Sequence, residues 1–147
     1  MVISHAQLRL VLASSCVLLF AASLLAGQQP WPKVTEVCGD SSNDLLKRNG
    51  KVIWFSPKQM NAMATNRVTP PFPPMCRCQG PVIVAIIVNS DGNVVCAHVV
   101  SGHPLMSAAS TNAATKWTFK PLVKHGDKVS FAGLLAFTFH SSGAVTY

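Results

Sequence analysis

Val82-Ile83-Val84-Ala85-Ile86-Ile87-Val88, then Asn89-Ser90-Asp91-Gly92-Asn93, then Val94-Val95-Cys96-Ala97-His98-Val99-Val100 is the stretch that decides the fold. An unbroken apolar run rich in β-branched residues favours a strand over a helix. Asp-Gly between two such runs is a strong hairpin signal, because the turn needs positive φ and glycine supplies it without steric cost. The first strand does not alternate apolar with polar residues, as a sheet with one wet face would. Both faces of the sheet are therefore expected to be covered. A helix can cover one; the N-terminal extension, a second copy of the chain or a partner would cover the other.

Downstream, Ser101-Gly102-His103-Pro104 ends the hairpin and starts a helix with proline in its first turn. The Ala-rich segment from Leu105 to Lys116 is helical, with Leu105, Ala108, Ala109 and Ala113 expected toward the core. Trp117-Thr118-Phe119-Lys120-Pro121 is extended, so Trp117 and Phe119 fall on one side. His125-Gly126-Asp127-Lys128 is a turn, and Val129 to His140 is the final strand. The order β-β-α-β predicts an α+β fold: a small antiparallel three-stranded sheet with a helix packed on one face. Upstream, Ser56-Pro57 is an N-cap followed by proline at the first helical position, opening a short helix through Ala64. Lys51 to Phe55 is a strand candidate. Val68 to Pro74 holds four prolines and must be extended. Gln28 to Gly50 is an extension with one helical turn near Asp44 to Lys47.

The N-terminus points to export. Met1 to Arg9 carries one basic residue and no acid, Leu10 to Ala26 is apolar except for Ser14, Ser15 and Ser23, and Ala26-Gly27 closes the run. These are the three parts of a secretory signal, with cleavage expected near Ala26 or Gly27. Left uncleaved, residues 10–26 would be just long enough to anchor the chain in a membrane. Either way the remainder is expected to be exported. The expected organisation is a signal or anchor over 1–27, an extension over 28–55, a domain over 56–141 and a tail over 142–147.

Composition narrows the function classes. Of 147 residues 49% are hydrophobic and 12% charged, and much of that apolar excess lies in the N-terminal run. No second apolar run approaches a membrane span, so a polytopic membrane protein is excluded. The formal charge is +7, or about +6 once Arg9 leaves with a signal. Export argues against nucleic acid as the partner. Lys116, Lys120, Lys124 and Lys128 recur every four positions, but Pro121 forbids one continuous helix through them. They read as a solvated face, with anionic lipid headgroups as the other candidate contact. Only five acids are present, without a paired-carboxylate arrangement. Ser101-Gly102-His103 is not a nucleophile elbow, and no phosphate loop occurs. No catalysis, cofactor or resident metal is expected.

Cys38, Cys76, Cys78 and Cys96 would lie in an oxidising compartment, where disulfides are the default. Four cysteines allow three complete pairings. Bonding Cys76 to Cys78 across Arg77 would close a tight ring, so a bond from Cys38 to Cys76, Cys78 or Cys96 is preferred. The alternative from another class is a secreted metal- or redox-handling protein using Cys76, Cys78, Cys96 and His98.

Gln79-Gly80-Pro81-Val82, Val88 through Val94, Val100-Ser101-Gly102-His103-Pro104-Leu105, Ala108-Ala109 and Lys116-Trp117-Thr118-Phe119-Lys120-Pro121 together resemble the C-terminal domain of TonB-type energy transducers. Pro70-Pro71-Phe72-Pro73-Pro74 is similar to the proline-aromatic-proline approach to that domain. Pro74 to Gly80 is shorter than the helix usual there and carries two cysteines instead. The resemblance implies a periplasmic domain that contacts outer-membrane TonB-dependent transporters by strand addition at a sheet edge. In full transducers an inner-membrane anchor couples to a proton-driven motor, ExbB and ExbD. The expected partners are thus a transporter, such a motor if the chain is anchored, and a second copy if strands are exchanged. The final strand, Val129 to His140, is the candidate edge, with Phe131, Leu135, Phe137 and Phe139 as apolar contacts.

Overall fold

The computed structural model describes residue 38 and residues 52–74 and 76–147. The expected signal or anchor lies outside the described residues, as do most of the extension and its helical turn. Among the described residues no helix is long and apolar enough to cross a membrane.

The hairpin forms as its sequence dictates. Strand β3 (Gly80–Val88) pairs antiparallel with β4 (Val94–Ser101). The turn is organised by Asn89, whose Oδ1 accepts the backbone N–H groups of Asp91 and Asn93 at 3.1 and 2.9 Å. Earlier elements are β1 (Trp54–Phe55), α1 (Pro57–Met63) and β2 (Ala64–Asn66). Later ones are α2 (Pro104–Ala114), β5 (Thr118–Phe119), β6 (Leu122–Lys124), β7 (Asp127–Val129), β8 (Phe131–Phe139) and β9 (Val145–Thr146). The expected final strand is therefore split: β7 turns back on β6 through His125 and Gly126, and β8 begins after Ser130.

Both helix starts follow the sequence signals. At α1, Gln59 Oε1 accepts from the Ser56 backbone N–H at 2.9 Å and from its hydroxyl at 2.8 Å. At α2, His103 Nδ1 accepts from the Leu105 N–H at 3.3 Å. These groups satisfy donors that a helix end leaves open.

The α+β class stands, but the sheet is larger than three strands. Its continuous order is β1-β8-β3-β4, with β9 pairing a separate part of β8, five strands in all. The three expected strands form the long paired centre. Both additions are two-residue strands: β1 falls within the strand candidate Lys51 to Phe55, whereas β9 is too short to leave a periodic signal. One joins from the segment expected to be extension and the other from the expected tail.

Val82, Val84, Ile86 and Val88 of β3 share one buried cluster with Phe131, Leu135, Phe137 and Phe139 of β8. Met60 of α1, Met106 and Ala114 of α2, Trp117 and Phe119 join the same cluster, so both helices cover one face. The inward stripe of α2 is Met106, Ser110, Ala113 and Ala114. Only Ala113 of the expected set lies there; Leu105 is 59% exposed and Ala108 is exposed. Leu105 stands on the first turn, beyond the edge of the packed surface, and the stripe starts one position later. Ser110 is tolerated inside because its hydroxyl donates to the Met106 carbonyl at 2.8 Å. On the opposite face Cys38, Val52, Trp54 and Cys96 pack around the buried Ile87. The extension supplies the cover over Ile87.

Two glycines have steric reasons. A Cβ at Gly133 would run into Met60, 2.7 Å from its Cγ and closer still to its sulfur. Gly92 has φ of +91°, and a Cβ there would overlap the Phe119 backbone carbonyl. That closeness exists because Phe119 donates its N–H to the Gly92 carbonyl at 2.8 Å. Gly92→Ala is therefore expected to destabilise the domain by more than about 1 kcal/mol, the scale of an unfavourable backbone conformation, because a rigid backbone clash is added. Urea titration of the variant checks this; an unchanged midpoint would show that the β3–β4 turn can move away from β5.

Candidate partner-binding edge

The outer side of β8 is built by three segments. Toward the sheet, β8 pairs with β3 in uninterrupted antiparallel register from Gly80↔Phe139 to Val88↔Phe131. Away from it, β1 runs parallel at Ala132 and Gly133, and β9 runs antiparallel at Thr138 and Phe139. Between them, Leu134 to Phe137 has no strand partner on that side among the described residues. Ala132 donates its N–H outward to the Ile53 carbonyl at 2.9 Å. Backbone groups alternate in direction along a strand, so Ala136, four residues on, faces outward as well.

The four side chains expected to make apolar contact have a different position. Phe131 and Phe137 are fully buried and Leu135 and Phe139 are 1% exposed. They point under the helices, not outward. Phe131 meets the Phe55 ring edge-on at 5.4 Å, and Phe137 meets the Trp117 ring at 5.8 Å. Burying such a side chain stabilises the fold by roughly 1.5–3 kcal/mol each, which makes them core. What β8 presents at the open stretch is backbone, flanked by the half-buried Leu134 and Ala136. Sequence reasoning missed this because edge status depends on which distant segments pair, and no residue type marks it.

Among the described residues, β4 is the other long strand at the end of the sheet order. Val95 and Val100 are 46% and 45% exposed there. The register of β4 on β3 shifts twice, between Ile83 and Val84 and between Ile87 and Val88. Such irregularities twist an edge and protect it from further pairing. β8 carries no such break.

The four described cysteines fall into two pairs. Cys38 is paired with Cys96, their Cα atoms 6.1 Å apart, across a sequence separation of 58. Cys76 is paired with Cys78, Cα atoms 5.1 Å apart, contrary to the expectation that so short a ring would be avoided. The chain here is an extended, proline-led loop rather than helix, so nothing holds the two sulfurs apart. The quartet Cys76, Cys78, Cys96 and His98 is not brought together. Cys96 lies opposite Ile87 and is tied to Cys38, and His98 is an exposed residue of β4 opposite Ala85. Lys116, Lys120, Lys124 and Lys128 are all exposed.

Residues 70–141 match the family described as Gram-negative bacterial TonB protein C-terminal. Among solved structures, the solution NMR structure of Pseudomonas aeruginosa TonB CTD is 27% identical, with a TM-score of 0.43, covering 52% of this chain and 83% of that chain. No curated protein matches. The matched segment starts in the proline-rich approach and ends just past β8, so it takes in the hairpin, α2, the Trp117 segment and the candidate edge: the domain spanning residues 70–141 belongs to the TonB C-terminal domain family.

Proposed function

We propose that this chain is a cell-envelope binding module of TonB C-terminal type, acting in energy-dependent transport. It contacts an outer-membrane transporter by accepting the transporter's N-terminal segment as an added strand along β8. The observation that carries this is the unbroken β8 with an outer stretch, Leu134 to Phe137, that no strand among the described residues occupies. Affinity in this mode comes from main-chain hydrogen bonds, and specificity from the side chains beside them. The work is non-covalent, and no bond-making step is assigned. Family membership supports a periplasmic location, reached through residues 10–26 as signal or anchor. Coupling to an ExbB/ExbD-type motor belongs to the anchored form.

The test uses Ala136→Pro. Proline deletes one outward N–H and is tolerated where that side carries no ladder bond. The folded domain is expected to persist, while affinity for a synthetic transporter N-terminal peptide falls at least about tenfold, the scale of one or two lost hydrogen bonds plus a blocked edge. Amide chemical shifts on titration should move at Leu134 to Phe137. Shifts confined to β4, with Ala136→Pro binding normally, would overturn the β8 assignment.

A further inference from the structure

The topology brings chemistry to one end of the β3–β4 hairpin. Gly80 opens β3, and Ser101, the last residue of β4, lies opposite Ile83. Cys76 and Cys78 immediately precede the first strand and His103 immediately follows the second. The two sulfurs and a ring nitrogen of His103 lie within 4.8 Å of one another. The two cysteines are half-buried and His103 is exposed. The Cys78 N–H donates to the Cys76 sulfur at 3.2 Å. Arg77 stands between the cysteines, and His103 is the N-cap of α2, so the positive end of that helix faces the cluster.

We propose that, with Cys76 and Cys78 reduced, these three residues bind one cuprous ion. Two thiolates and an imidazole are a soft donor set, which selects Cu(I) over hard cations. A closed tetrahedral zinc site needs a fourth protein ligand, and among the described residues no fourth histidine, cysteine or carboxylate joins the group, so zinc would have to complete its shell with water. Two thiolates with Cu(I) leave one net negative charge, which Arg77 and the α2 terminus offset. The site opens by thiol–disulfide exchange. An external dithiol delivers two electrons and two protons to the Cys76–Cys78 pair and closes to its own disulfide. The cuprous ion then displaces both thiol protons to solvent. A bond spanning a single residue gains little from loop closure. The imidazole has one lone pair, and at Nδ1 it now accepts the Leu105 N–H at 3.3 Å. Coordination exchanges this cap bond for a metal bond, linking occupancy to the first turn of α2.

The test uses the full chain, reduced with a phosphine, desalted without oxygen and titrated against the Cu(I)–bicinchoninate complex, reading loss of chelate absorbance. Reduced wild type is expected to take one more Cu(I) per chain than the Cys76→Ser/Cys78→Ser variant, so any copper held by Cys38 and Cys96 cancels. The oxidised protein should take none. His103→Ser keeps a good N-cap and removes the imidazole; it should weaken binding by about tenfold or more, the scale of effects in a metal's immediate surroundings. Far-UV circular dichroism establishes that each variant is folded. Equal copper uptake by wild type and the double-serine variant overturns the site, and unchanged affinity in His103→Ser overturns the three-ligand assignment. If the double-serine variant does not fold, the affinity of His103→Ser decides alone.

Discussion

Trp117→Ala is expected to leave little folded domain at room temperature. The Trp117 side chain has no exposed surface, and its indole N–H donates to the Val68 carbonyl at 2.8 Å. Its ring stands edge-on to Phe137 at 5.8 Å and to Tyr147 at 5.2 Å, and tilted against Phe119 at 6.2 Å. It thereby ties the proline-rich approach and the C-terminal residues to the core of β8. Truncating a buried tryptophan costs about 3–5 kcal/mol for lost contact and residual cavity. The orphaned Val68 carbonyl adds roughly 1 kcal/mol or more unless water reaches it. Domains of this size have about 5–15 kcal/mol in total, so the loss is a large share. Trp117→Phe keeps most of the packing and removes the donor, so it should fall well between wild type and Trp117→Ala. Urea midpoints measured by circular dichroism order the three proteins. A Trp117→Ala midpoint close to wild type would mean that the ring is not the centre of this core.

The second large effect concerns Cys38. In the chain-entropy account, a bond across 58 residues restricts the unfolded chain enough to stabilise the fold by roughly 4 kcal/mol. Cys38→Ser is therefore expected to lower the melting temperature of the oxidised protein by more than about 10 °C. The Cys76–Cys78 pair closes so small a loop that its removal should cost under about 2 kcal/mol by the same account. The contrast is diagnostic. Cys38→Ser should lose most of its sensitivity to reductant, whereas Cys76→Ser/Cys78→Ser should melt near wild type and remain sensitive. The reverse order would mean that Cys38 does not hold the extension over Ile87. Loss of that cover should also raise hydrogen exchange on the Ile87 side of β3, where Cys96 and Trp54 now pack.

Most of the local structure was legible because it is set by neighbours in the chain. The apolar runs with Asp91-Gly92 between them require a hairpin, Ser56-Pro57 and His103-Pro104 require helix starts, and Trp117 with Phe119 requires one buried side. The assembled set of motifs was enough to identify the family. The α2 stripe was misplaced by one position because alanine and serine carry little hydrophobic contrast. Helix packing let Ser110 inside once its hydroxyl was satisfied and left Leu105 outside.

The sequence alone determined the central hairpin, both helix starts, the α+β class and the chemistry available at each position, since propensity, turn geometry and capping act over a few residues. Tertiary structure decided that, among the described residues, Leu134 to Phe137 has no outer strand partner, that Phe131, Leu135, Phe137 and Phe139 are core, and which sulfurs meet. It also moved the metal-capable cluster from Cys96 and His98 to His103. Those outcomes depend on pairing between segments tens of residues apart. Such pairing is fixed by the packing of the whole domain, and no local pattern encodes it.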